Sequence, residues 1–65
     1  MTFIFTLEGG PDGQDLIVPV TCHSDENARV RAGDFFQRFP GYRSIRVERA
    51  GTAIHRQERA AVVEI

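Results

Sequence analysis

The stretch SDENARVRAGDFFQRFPG, residues 24–41, decides the fold. Ser24 is a strong helix N-cap type, and it is followed at once by Asp25 and Glu26, two carboxylates placed where the positive end of a helix dipole favours them. Counted at about 100° per residue, Ala28, Ala32, Phe35, Phe36 and Phe39 gather on one face, the pattern of an amphipathic helix. Pro40 pushes Phe39 out of the α region and offers no donor for another helical hydrogen bond, so the helix ends sharply before Gly41. Three phenyl rings on one stripe need a receiving surface, and the flanking segments supply it.

Upstream, Phe3, Phe5 and Leu7 alternate with Thr2, Ile4, Thr6 and Glu8, the period of two that marks a half-buried strand. A cluster of turn formers, Glu8 to Gln14 with Gly9, Gly10, Pro11, Asp12 and Gly13, leads to a second alternation in which Leu16, Val18, Val20 and Cys22 share a face. The two segments predict a hairpin. Pro19 has no backbone donor, so its side of the second strand is expected at a sheet edge.

Downstream, Ile45 and Val47 alternate with Arg46 and Glu48 in a third strand. Gly51-Thr52 reads as a type II′ turn into a fourth. That register sets Arg49 opposite Ile54, Glu48 opposite His55 and Arg46 opposite Gln57. Ala61 to Ile65 is rich in β-branched residues and reads as a fifth strand after a bend at Glu58-Arg59-Ala60, while Thr52 to Ile65 also carries a weaker helical pattern. The expected architecture is a single two-layer α+β domain spanning residues 1–65, one helix on an antiparallel sheet in the order ββαββ or ββαβββ.

The 65 residues are 42% hydrophobic, which excludes a two-domain enzyme, and no apolar run approaches a bilayer-spanning length. A chain this short buries only about 60% of the surface its unfolded form exposes, so its stability is marginal. The lone Cys22 has no cysteine to pair with, and Met1 to Leu7 lacks the charged and apolar regions of a signal peptide. Both observations point to a reducing, cytoplasmic setting.

Charge is segregated along the chain. Residues 1–28 hold five acids and no base, and residues 29–65 hold eight arginines and four acids. Arginine without lysine favours bidentate contact with carboxylate or phosphate, although a GC-rich genome produces the same bias. On the helix, Asp34 is within reach of Arg31 and Arg38. On the hairpin, Arg46 is expected on one face, Arg43, Arg49 and Arg56 on the other, and Arg59 in the bend. Arg43, Arg46, Arg49, Arg56 and Arg59 are the candidate partner-binding residues, with the Gly9-to-Gln14 loop as a second contact. A net charge of −1 lacks the basic footprint of a stand-alone nucleic-acid binder.

Cys22, His23 and His55 are the residues with nucleophile or metal chemistry, but Cys22 and His23 point to opposite faces of an extended strand and no metal-ligand spacing joins them. Cys22 reads as a small buried hydrophobe, no cofactor is implied, and His55 beside Glu48 would be a local charge switch. The glycine-rich loop enters a strand instead of a helix and has no lysine, so it is not a phosphate cradle. Gly33 costs the helix about 1 kcal/mol relative to alanine and lies with Val30 and Gln37 opposite the phenylalanines, which makes that face a candidate homodimer contact.

The order of Ser24 and Ala28-Arg29 opening a helix, Phe39-Pro40-Gly41 closing it, and a hairpin from Ile45 to Ile54 loosely resembles small phage-encoded proteins, among them some anti-CRISPR inhibitors, over about half the chain. The resemblance implies a stoichiometric inhibitor of a host nucleoprotein complex and assigns no site residues. The function expected from the residues is non-catalytic: a small regulatory module docking on a larger protein or nucleoprotein assembly. The alternative is a nucleic-acid binder using the same arginines.

Overall fold

In the computed structural model, which describes residues 1–58, the chain forms β1 (Thr2–Glu8), β2 (Leu16–Thr21), α1 (Asp25–Arg38), β3 (Ser44–Arg49) and β4 (Thr52–Glu58). The strands make one antiparallel sheet in the order β2-β1-β3-β4, with α1 on one face, so the ββαββ arrangement holds. Thr52–Glu58 is strand, not helix. The expected fifth strand and Arg59 lie outside the described residues.

Ser24 caps α1 as its residue type predicts, its side chain accepting a hydrogen bond from the Asn27 amide at 3.1 Å. The helix then lays Ala28, Ala32 and Phe36 against Phe3, Phe5, Leu7, Ile45 and Val47, and Phe35 and Phe39 close the margin of this core. The inner sheet residues are fully buried, which is what the period-two pattern of β1 and β3 requires when one face meets a helix. Phe5 meets Phe35 edge-on with ring centroids 5.5 Å apart, and Phe35 stacks on Phe39 at 5.7 Å.

The ladder direction of each residue follows from one pair. Cys22 donates its N–H to the Met1 carbonyl at 3.0 Å, and the Met1 amine donates back to Cys22 O at 3.3 Å. In the β1–β2 register this makes Phe3–Val20, Phe5–Val18 and Leu7–Leu16 the hydrogen-bonded pairs, so Ile17, Pro19 and Thr21 aim their backbone groups away from the sheet. Pro19 therefore sits on an edge strand where its missing donor costs no ladder bond. The same alternation carried through β3 turns Ile45, Val47 and Arg49 toward β4. It leaves the backbone groups of Arg56 and Glu58 directed outward.

The β3–β4 hairpin departs from the expected register. Its turn residues are Ala50 (φ 50°) and Gly51 (φ 81°), two successive positive φ values that define a type I′ loop instead of a II′ loop at Gly51-Thr52. Arg49 consequently faces Thr52 and Glu48 faces Ala53, and a bulge at Ile54 shifts the remaining pairs, so Val47 faces His55 and Arg46 faces Arg56. The imidazole–carboxylate pair of His55 and Glu48 does not form across the ladder. Arg56 therefore projects from the same sheet face as Arg46 and not from the other face.

The β1–β2 connection is fitted to the α1–β3 connection. The Gly13 amide donates to Gly10 O at 2.8 Å, closing a turn over Pro11 and Asp12. A Cβ at Gly10 would lie 2.7 Å from the Tyr42 ring, so glycine there is a packing requirement.

Candidate functional site

No described element covers the sheet face opposite α1. Across it, the register builds one row of Ile17, Thr6, Arg46 and Arg56, a second of Pro19, Ile4, Glu48 and Ala53, and a third containing Glu8, Ser44 and Glu58. Over β2 and the adjoining part of β1 the apolar side chains are Ile17, Pro19 and Ile4, with Ile17 64% exposed. The half over β3 and β4 is charged. Thr6, between Ile17 and Arg46, is only 4% exposed because those neighbours close over it.

Arg46 and Arg56 lie directly opposite one another, an arrangement that is repulsive unless acids intervene. Here they do. Arg46 Nε donates to Glu48 Oε1 at 3.2 Å and its Nη1 lies 3.9 Å from Glu8 Oε2, while Ser44 Oγ donates to Glu8 Oε1 at 3.4 Å. Arg56 Nη2 lies 3.1 Å from Glu58 Oε1. The face thus presents two guanidinium groups interleaved with three carboxylates. An open polar cleft of about 300 Å³ at its end is lined by Glu8, Gly9, Arg43, Ser44, Arg56 and Glu58.

The other expected arginines divide. Arg49 is on the helix side, with Nη1 2.9 Å from Asp25 Oδ1 in the first turn of α1, a close ion pair whose geometry is not that of a directed hydrogen bond. It ties the hairpin end to the helix N-terminus and is withdrawn from the outer face. Arg43 reaches the rim of the polar cleft, its stem close over Gly9. On the helix, Arg31 Nη1 donates to the outward Thr21 carbonyl at 3.1 Å, and none of the described ion pairs includes Asp34. Glu8 was not among the expected site residues, because its place beside Arg46 depends on β1 pairing with β3 across 36 positions of sequence.

Cys22 is buried, at 4% exposure, while His23 is exposed on the chain before the helix. No group of three metal-ligating side chains occurs among the described residues. On the outer face of α1, Val30 is 62% exposed and Gln37 is exposed, and the space a Cβ on Gly33 would enter is open. No helix among the described residues is long and apolar enough to cross a membrane. Comparison of the chain with protein-family models, characterised proteins and solved structures gives no match.

Proposed function

We propose that the chain is a small non-catalytic regulatory module, acting in the cytoplasm by docking its uncovered sheet face on a larger protein or protein-rich assembly. The observation that carries this reading is the composition of that face: Ile4, Ile17 and Pro19 beside Arg46 and Arg56 held among Glu8, Glu48 and Glu58. An apolar patch next to fixed charges of both signs suits a protein surface, where matched charges set orientation and encounter rate. Three carboxylates among two arginines oppose a phosphate backbone. A four-stranded face of this length offers roughly 400 Å², about half the usual area per partner of a stable complex, so the contact extends to Arg43 and the Gly9-to-Gln14 loop at its rim. A stoichiometric inhibitor of the phage-encoded kind that the motif order resembles is one form such a module takes.

The test is affinity capture from cells of the source, comparing the parent with an Ile17→Glu, Arg46→Glu variant of the outer face and a Val30→Asp variant of the helix face. A protein partner held by the parent and the helix variant, and released by the outer-face variant, is the expected result. Capture indifferent to the outer-face changes would overturn the reading. So would affinity for duplex or single-stranded nucleic acid that falls steeply with salt, the mark of phosphate binding.

A further inference from the structure

The two edges of the sheet are not equivalent. On β2, the outward groups are blunted: Pro19 has no donor to offer and Arg31 occupies the Thr21 carbonyl. On β4 there is no proline, the side chains of Arg56 and Glu58 are exposed, and their backbone groups point outward with no partner among the described residues. The bulge at Ile54 lies toward the turn and leaves His55 to Glu58 as a regular strand, unpaired on its outer side among the described residues.

The geometry points to a second copy of this chain as the occupant of that edge, paired antiparallel through β4 about a two-fold axis at Gln57. The argument is charge complementarity under that symmetry. An isologous contact sets residue i against j and j against i. In an antiparallel pair centred on Gln57, Arg56 falls opposite Glu58 of the second copy, and Glu58 opposite Arg56 of the second copy. Residues 56 and 58 are also the positions whose backbone groups face outward, so charge matching and hydrogen bonding select the same register. A centre one residue earlier would oppose Arg56 to itself, which is repulsive.

The pairing also extends the row of Arg46 and Arg56 beyond the edge of the single chain. Among the described residues, Arg56 has Arg46 on its β3 side and no strand neighbour on the other, its ion pair being with Glu58 of its own strand. A second copy supplies a carboxylate there. The two sheets join into one, and their uncovered faces become continuous. This contact uses the strand edge, is separate from the Val30, Gly33 and Gln37 face of the helix, and stands whether or not the outer face binds a partner protein.

Sedimentation equilibrium of the purified chain over a wide concentration range tests it. The parent is expected to dimerise. Arg56→Glu places two like-charged pairs at the contact, as does Glu58→Arg, and each should weaken self-association by about tenfold or more. The double variant Arg56→Glu, Glu58→Arg restores opposite charges and should recover the dimer. A mixture of the two single variants should form a heterodimer for the same reason. All these side chains are exposed, and circular dichroism checks that each variant folds. A parent that stays monomeric at the highest concentration overturns the inference, as does a dimer that both single reversals leave intact.

Discussion

Gly33 and Gly10 show how one residue type is used for opposite reasons. At Gly10 the Tyr42 ring would stand 2.7 Å from an added Cβ, so the close approach of two connections depends on its absence. At Gly33, inside α1, an added Cβ would meet nothing within 4 Å, and no positive φ is involved. Gly33 therefore gives the folded chain only the backbone entropy cost of glycine in a helix. Gly33→Ala is expected to stabilise the protein by about 0.5–1 kcal/mol, raising the melting temperature by roughly 2–8 °C in a domain of this size. A thermal melt checks this. A lower melting temperature would show that another backbone occupies the space beside Val30 and Gln37.

At the scale of elements, the β3–β4 hairpin is where local preference and structure disagree. Its turn holds Ala50 at φ 50°, a left-handed conformation that costs an L-residue with a Cβ about 1–2 kcal/mol. Asn-Gly is the favoured pair for this loop. Ala50→Asn is therefore expected to raise stability by about 0.5–1 kcal/mol, seen as a higher urea midpoint with unchanged slope. A turn centred on Gly51-Thr52 would show no such gain. The same residue explains what the sequence conceals. Alanine is a poor marker of a type I′ turn, so Gly51 is read one position early. The bulge at Ile54 leaves no compositional trace, and the two shifts together move Arg56 onto the face of Arg46. The helix is legible because Ser24, the phenylalanine stripe and Pro40 agree, and β1 and β2 are legible because their alternation is unbroken. The arginines are legible as a list. Their arrangement is not, because Glu8 meets Arg46, and Arg49 meets Asp25, only after distant strands and helix have assembled.

For the molecule as a whole, the division between an occupied interior and a free exterior is a matter of magnitudes. At about 0.05–0.15 kcal/mol per residue, a domain of this length has roughly 3–10 kcal/mol of total stability. Removing a phenyl ring from a packed core costs about 3–5 kcal/mol. Phe5 is fully buried at the centre of the sheet and meets Phe35 edge-on, so Phe5→Ala is expected to consume most or all of the margin and abolish cooperative melting near physiological temperature. Ile17, equally apolar but 64% exposed on the far face, is different: Ile17→Ala should shift stability by no more than about 0.5 kcal/mol. Differential scanning calorimetry of the two variants makes the comparison. If Phe5→Ala still melts cooperatively within a few degrees of the parent, the helix is not the indispensable cover of the sheet, and a ligand between the layers becomes admissible. If it unfolds while Ile17→Ala melts like the parent, the interior is committed to holding the chain together. Any selective loss of binding from Ile17 or Arg46 substitutions then reports contact at the surface and not collapse of the fold.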